Sequence, residues 1–120
     1  MTGTRTLIVD DNEGMRLVAR TLLEDVGCTV VGEASDGDEA VERAQECRPR
    51  LVLMDLRMPR SDGVEATSRI KATCPDATVV AWTSVDDADA ARRFFAAGAS
   101  AFVVKHDLGG LQRAIDRALH

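Results

Sequence analysis

The sequence has few of the residues that disulfide scaffolds and metal clusters require. Its 120 residues include three cysteines, Cys28, Cys47 and Cys74. An odd number of cysteines this far apart suits neither a structural zinc site nor a disulfide framework. We therefore expect three buried or half-buried thiols and a protein of the reducing cytoplasm.

Long apolar runs and an excess of positive charge are also absent. The chain begins MTGTRTLIVDD, in which the apolar stretch is three residues long and ends on two acids. Such a stretch is neither a signal peptide nor a membrane span, so we expect no membrane contact. The formal net charge of -5 and the sequence pI of about 4.9 argue against a uniform basic face. We therefore expect no direct nucleic-acid binding by this chain.

What the chain does contain is a regular alternation of short apolar runs and amphipathic segments, which predicts one domain over residues 1–120. The spacing of apolar residues and the Gly and Pro stops predict strands at 6–10, 28–34, 51–55, 77–82 and 100–105. Helices are predicted at 13–27, 36–48, 63–74, 87–98 and 108–119. Five strands alternating with five helices imply an α/β fold, a doubly wound five-stranded parallel sheet with helices on both faces. The flavodoxin-like strand order 2-1-3-4-5 is expected.

Polar side chains stand at or directly after the ends of four of the five predicted strands. In chain order these are Asp10 and Asp11, then Asp55, then Thr83 and Ser84, and finally Lys105. The carboxyl ends of parallel strands meet at one edge of a sheet, where ligands of such folds bind. Three adjacent carboxylates repel one another unless a cation joins them, and all-oxygen ligands suit Mg²⁺. Each residue alone also has a structural explanation, as a helix cap or as turn chemistry. Their joint placement predicts a shared site.

The chemistry of such a site would be phosphoryl transfer. An ammonium and a hydroxyl, from Lys105 and Thr83, are donors for phosphoryl oxygens. Asp55 lies centrally between the acid pair and these two donors, so it is the expected nucleophile toward phosphorus.

The pieces LIVDDN, LVLMDLRMPRSDG, TS after the fourth strand, and GASAFVVK carry a resemblance to a known family. Over essentially its whole length the chain resembles the receiver domain of bacterial two-component response regulators. That resemblance implies a regulatory phosphoprotein whose partner is a sensor histidine kinase. The segments MDLRMPRSDG and GASAFVVKHD are most similar to the subfamily with a LuxR-type helix-turn-helix output, which implies transcription regulation. No output domain is expected within this chain.

The resemblance also implies roles for individual residues. Asp55 is implied as the phosphoacceptor, and Asp10 and Asp11 as the acidic pair that holds Mg²⁺ together with Asp55 and the backbone carbonyl of Arg57. Thr83 is similar to the switch hydroxyl, Lys105 to the lysine that meets the phosphoryl group. Phe102 occupies the position of the switch aromatic.

Four further residues are implied to tune the switch or depart from the family pattern. Arg57 and Val85 flank the expected phosphoryl position, where the rate of dephosphorylation would be tuned. His106 replaces a common proline, which leaves open whether the Lys105–His106 bond is cis. Trp82 is larger than the usual aliphatic residue before the switch hydroxyl. It either slows the movement of that hydroxyl or fills the core.

A partner surface is implied on the fourth helix, the fifth strand and the fifth helix, which the family uses for homodimers or output. Positions 88, 91 and 95 form one helical stripe. That stripe predicts that Phe95 is buried and that Phe94, at its margin, is partly exposed as an interface residue.

Three other functions are known alternatives for such a fold. A flavodoxin-like FMN carrier would need a Gly/Ser/Thr-rich phosphate loop and aromatic side chains, yet the first strand runs into DDNEG and aromatics form 3% of the chain. A haloacid-dehalogenase-type phosphatase would need a second acid at position 57, which is Arg57. A pseudo-receiver, a binding module with this fold but without phosphorylation, stays open.

Overall fold

A computed structural model of the chain describes residues 3–119. The described strands are β1 (Thr4–Val9), β2 (Cys28–Ala34), β3 (Leu51–Met54), β4 (Thr78–Thr83) and β5 (Ala101–Val104). The described helices are α1 (Glu13–Asp25), α2 (Gly37–Cys47), α3 (Gly63–Thr73), α4 (Ala88–Ala97) and α5 (Leu108–Leu119). All strand pairs are parallel, and the sheet has the order β2-β1-β3-β4-β5. The predicted fold is confirmed, with element ends displaced by at most two residues.

Short polar residues start four of the helices. The side chains of Asn12, Asp36, Asp62 and Asp87 each accept a hydrogen bond from a backbone N–H in the first turn of α1, α2, α3 and α4. These caps satisfy donors that have no partner within the helix. Because three of these helices directly follow the carboxyl ends of β1, β2 and β4, the caps also fix where the chain turns away from the sheet edge that carries the acids.

Helices cover both faces of the sheet, and each face has its own apolar cluster. One cluster lies under α2, α3 and α4 and includes Ala81 of β4. The other lies under α1 and α5 and includes Trp82. Neighbouring residues of a strand point to opposite faces, so Trp82 lies on the face opposite Ala81 and Thr83. The side chain of Trp82 is 1% exposed and packs in the core, on the face away from the Thr83 hydroxyl.

The predicted orientation of α4 is wrong. Phe94 is fully buried and Phe95 is 50% exposed, the reverse of the expectation. The buried stripe runs through Ala90 and Phe94, whose ring lies 5.9 Å from that of Phe102. The segment ADAARRFFAAG contains two overlapping apolar stripes of equal quality, so periodicity does not distinguish them. Phe94 is therefore not the exposed aromatic residue of α4, and Phe95 is.

Two smaller expectations are also answered. Cys28 and Cys74 are buried, Cys47 is half-buried, and all three are free thiols. Among residues 3–119 every peptide bond is trans, the Lys105–His106 bond included.

No helix within this described range is long and apolar enough to cross a membrane.

Candidate functional site

The three acids predicted at the strand ends meet at one point. One carboxylate oxygen from each of Asp10, Asp11 and Asp55 lies within 4.8 Å of the others. Asp10 and Asp55 are buried, whereas Asp11 is exposed. The acids are neighbours because β1 and β3 are adjacent in the sheet, with Val9 paired to Met54 one residue before Asp10 and Asp55.

Local hydrogen bonds hold the two buried acids in place. The Oδ1 atom of Asp10 accepts from the backbone N–H of Asn12 at 2.9 Å, and its backbone carbonyl accepts from the Arg16 guanidinium at 2.8 Å. The Oδ1 atom of Asp55 accepts from the backbone N–H of Leu56 at 2.9 Å. One oxygen of each carboxylate is thus tied to its own turn, which orients the carboxylate groups relative to the pocket.

The loop after Asp55 closes tightly onto the backbone behind it. The N–H of Gly63 donates to the carbonyl of Leu56 at 2.7 Å. A β-carbon at position 63 would lie 1.8 Å from the backbone oxygen of Asp55. The sequence predicts Gly63 only as the start of a helix, and this close approach is not predicted. The signal available was a glycine where a helix begins, a position at which other residue types are better helix formers.

The side chain of Lys105 reaches into the acid pocket, the site formed by Asp10, Asp11 and Asp55. Its Nζ atom is 2.5 Å from Oδ2 of Asp10 and 3.5 Å from Oδ1 of Asp55. The residue follows β5, and its backbone N–H donates to the carbonyl of Thr83 at 2.8 Å. Its ammonium is thus the counter-ion of two buried carboxylates, a contact that the sequence reasoning did not specify.

Asp55 has an unusual acidity. Burial, followed by the negative charge of Asp10, raises the pKa of Asp55 to about 6. The ammonium of Lys105, the hydrogen bond from Leu56 and the charge of Asp11 act less strongly, the first two lowering the pKa and the third raising it. At neutral pH the carboxylate is mostly ionised yet poorly solvated, so it carries a charge that a cation or an electrophile can stabilise.

Thr83 and Phe102 lie on the same face of the sheet, at neighbouring strands. Thr83 is buried, and its hydroxyl accepts a hydrogen bond from the backbone N–H of Val85 at 3.2 Å. Phe102 pairs with Ala81 across the ladder and is half-buried against Phe94. The Thr83 hydroxyl and the Phe102 ring, which are predicted to switch together, therefore lie on the same face of the adjacent strands β4 and β5.

A cavity of about 400 Å³ opens at the edge of the sheet where the acids meet. It is lined by the acids, the lysine and the threonine of the prediction and by further residues: Asp10, Asp11, Asn12, Met15, Asp55, Arg57, Thr83, Ser84 and Lys105. Phe102 and Val85 are outside this lining, and both pack against the apolar cluster under α2, α3 and α4. Asn12 and Met15 were missed at the sequence level, since nothing in a capping Asn or a helical Met distinguishes them from ordinary helix residues.

The donor set of the cavity fits a magnesium ion. Three carboxylates in reach of one point supply hard oxygen ligands, and Mg²⁺ typically binds through one or two carboxylates with waters and substrate phosphate completing its shell. Arg57 lines the same cavity, as a residue that supplies a backbone carbonyl to the ion would have to do. With an ion present, the repulsion among the acids would be compensated.

The chain matches the model of one protein family. Residues 6–116 match the family model described as the response regulator receiver domain. The chain is 43% identical over 101 residues to the transcriptional regulatory protein PdtaR of Mycobacterium tuberculosis, which covers 84% of this chain and 49% of that protein. It is 36% identical over 103 residues to the chemotaxis protein CheY of Thermotoga maritima, covering 86% of each.

A solved structure with the same fold is a two-component response regulator of the LuxR family from Aurantimonas sp. SI85-9A1. It superposes with a TM-score of 0.92 at 36% identity, covering 98% of this chain and 86% of that one. Several of the curated relatives are longer, and the chain spans about half or less of their length.

Proposed function

The chain belongs to the response regulator receiver domain family of two-component signalling, and from this premise we propose that it is a phosphorylation-controlled switch. In this proposal Asp55 accepts a phosphoryl group from a phosphohistidine of a sensor histidine kinase. The observation that supports it is the meeting of Asp10, Asp11 and Asp55 in one cavity, with the Lys105 ammonium 3.5 Å from Asp55.

In the transfer step an Asp55 carboxylate oxygen attacks phosphorus in line, and the bond from phosphorus to the imidazole nitrogen breaks. The product is an acyl phosphate on Asp55, and the imidazole leaves. Asp10, Asp11, Asp55 and the backbone carbonyl of Arg57 would hold Mg²⁺, which neutralises charge on the phosphoryl oxygens. The raised pKa of Asp55, about 6, still leaves the attacking carboxylate ionised at neutral pH.

The switch would follow from the new charge on Asp55. Lys105, already in the pocket, exchanges its carboxylate contacts for phosphoryl oxygens. The Thr83 hydroxyl leaves the N–H of Val85 and donates to the phosphoryl group. Phe102 then fills the space next to Thr83, which changes the population of conformers of α4 and β5. The added charge of about -2 supplies the difference in interaction between the two states.

The surface that reads out this change would be formed by α4, β5 and α5. A groove of about 730 Å³ there is lined by Phe95, Phe102, Arg113 and Arg117 among others. Phe95 is half exposed, so it replaces Phe94 as the aromatic residue of the interface. A homodimer through this groove, which carries both acidic and basic side chains, is the interaction we propose.

The remaining roles are tuning and context. Arg57, exposed at the rim of the cavity, and Val85, half-buried beside Thr83, would set the dephosphorylation rate. The domain would be no enzyme toward external substrates, since it promotes only its own phosphoryl transfer and hydrolysis. We place it in the cytoplasm as a single receiver domain over residues 1–120. A LuxR-type output in transcription regulation fits the LuxR-family structural relative.

The direct test is incubation with Mg²⁺ and a small-molecule acyl phosphate, followed by intact mass measurement. We expect one phosphoryl adduct in the wild type and none in Asp55→Asn. Asp62→Asn, which alters the acid that caps α3, serves as the matched control and should still be labelled. No adduct on the wild type would favour the pseudo-receiver. An adduct on Asp55→Asn would assign the acceptor to another residue.

A further inference from the structure

We propose that Trp82 is a positioning residue for Lys105, whose ammonium it holds in the acid pocket through the face of its indole ring. The inference deepens the proposed phosphoryl transfer, and its consequence for transfer rate rests on that function. The contact itself does not, because it is present in the unphosphorylated chain.

The two side chains lie close together at the carboxyl-end edge of the sheet. Trp82 is in β4 and its side chain lies in the apolar cluster under α1 and α5. The Nζ atom of Lys105 lies 5.5 Å from the centroid of the indole ring and 2.5 Å from Oδ2 of Asp10. The ammonium is therefore held by a carboxylate and by a π face. The lysine side chain is 13% exposed, so this attraction is little screened by water.

Core packing alone does not account for an indole here. The Nε1 atom of Trp82 is buried and has no hydrogen-bond partner among the described residues. A buried N–H without a partner is unfavourable, and an aliphatic side chain would fill the space without it. What the indole supplies and an aliphatic side chain does not is a negative ring face toward a cation. Position 82 therefore serves Lys105 as well as the core.

The functional consequence is preorganisation. A lysine side chain has four rotatable bonds. An ammonium that was free to leave the pocket would have to return to it before each transfer, at a cost in conformational entropy. Held between Asp10 and the indole, the Lys105 Nζ atom stays within 3.5 Å of the Asp55 carboxylate that accepts the phosphoryl group. Trp82 does not line the cavity that holds Asp55, so we expect it to act through Lys105.

A spectroscopic experiment tests the contact without any phosphoryl donor. Trp82 is the single tryptophan, and Lys71 and Lys105 are the only lysines of the chain. Indole emission responds to a charge on its ring face, so Lys105→Met should shift the emission spectrum. Lys71→Met is the matched control, because that ammonium is bound to the carbonyls of Pro75 and Ala77, and its spectrum should match the wild type. A wild-type spectrum in Lys105→Met would overturn the proposal.

A kinetic experiment tests whether Trp82 acts through Lys105. Trp82→Phe keeps an aromatic face without the N–H, and Trp82→Leu keeps apolar volume without a face. We expect Trp82→Leu to slow adduct formation from the acyl phosphate roughly threefold to tenfold, the range of a partly desolvated cation–π contact. Trp82→Phe should stay within about twofold of the wild type. In the Lys105→Met background the two Trp82 variants should be equally fast.

Equal losses for Trp82→Leu in both backgrounds would overturn the proposal, since Trp82 would then act through packing. Should Trp82→Leu fail to fold, Trp82→Met, whose flexible side chain fills the space without a π face, takes its place. If the wild type forms no adduct, the proposed function fails, while the emission spectra still determine whether the indole holds Lys105.

Discussion

Gly63 packs directly against the backbone carbonyl of Asp55, the residue placed at the centre of the acid pocket. A β-carbon on residue 63 would lie 1.8 Å from that oxygen, far inside any contact distance. The first turn of α3 therefore approaches the end of β3 as closely as backbone atoms allow. Its N–H, bonded to the carbonyl of Leu56, closes the loop between them.

Gly63→Ala should therefore destabilise the fold. The added methyl has to push α3 away from β3, and overpacking of this kind costs about 1–3 kcal/mol. Chemical denaturation measures the loss. Gly109→Ala in α5 is the control, because its β-carbon would meet only side-chain atoms, the end of Arg113 and, at ordinary contact distance, the carboxylate of Asp107. There we expect no loss, or a gain of about 0.5–1 kcal/mol from better helix propensity. Equal midpoint shifts for the two variants would contradict the close approach.

Phe94 and Phe95 should respond oppositely to truncation. Phe94→Ala removes a fully buried ring next to Phe102 and should cost about 3–5 kcal/mol in unfolding free energy. Phe95→Ala removes a half-exposed ring and should change stability by about 0.5 kcal/mol or less. Urea unfolding of the two variants measures both values. A larger loss for Phe95→Ala would restore the orientation of α4 expected from the sequence.

Because the pKa of Asp55 is raised, ionisation of its carboxyl lowers the unfolding free energy, and the size of this loss depends on pH. The group has a pKa of about 6 in the folded chain against about 3.9 unfolded, so the unfolded state releases the proton first as pH rises. Stability is therefore lost between about pH 4 and pH 6, and the full cost is present at pH 7 and above. Asp55→Asn removes it and should stabilise the metal-free protein by about 2–3 kcal/mol at pH 7.5.

At pH 4 the same substitution should have little effect, because the carboxyl is then almost fully protonated in the folded state and about half protonated in the unfolded state, so only a small part of the cost is present. Thermal unfolding in chelator at the two pH values measures the difference. A gain of equal size at both pH values would mean that burial of the charge is not its cause.

A divalent cation should stabilise the chain through the acid pocket. If Mg²⁺ binds only the folded state, the unfolding free energy rises by about 1.4 kcal/mol for each tenfold increase in Mg²⁺ above saturation. Asp11→Asn removes the exposed carboxylate of the pocket and leaves the buried core unchanged. Most of the Mg²⁺-dependent rise in unfolding free energy should then be lost. Asp116→Asn, an exposed acid of α5, removes the same charge away from the pocket and should keep it. Equal Mg²⁺ responses of both variants would argue against the site.

Thr83→Ala should separate labelling from response. The variant keeps every acid and Lys105, so the acyl phosphate should still label Asp55. Without the hydroxyl nothing draws β4 toward the phosphoryl group, and the change in amide hydrogen exchange of α4 and β5 on labelling should disappear. Ser84→Ala, which removes the neighbouring exposed hydroxyl, should leave that change intact. A full response in Thr83→Ala would remove Thr83 from the switch.

Most of the architecture and the members of the candidate site were readable from short patterns. Apolar runs bounded by Gly and Pro define β3 and β4, and double-sided burial requires a parallel sheet covered by helices. The place of Asp10, Asp55, Thr83 and Lys105 then follows, because residues at the carboxyl ends of neighbouring parallel strands must meet. Such inferences need only the period of a strand and the order of strands in a sheet.

What the sequence left open depends on contacts between distant segments. ADAARRFFAAG offers two equivalent stripes, and only the packing of Phe94 against Phe102 selects between them. Lys105 and Trp82 are 23 residues apart. No local sequence pattern predicts that the Lys105 ammonium contacts both the indole ring and Asp10. The same holds for Gly63 against Asp55. Local propensity acts over a few residues, whereas side-chain orientation, burial and the pKa of a buried acid depend on which chain segments pack around each group.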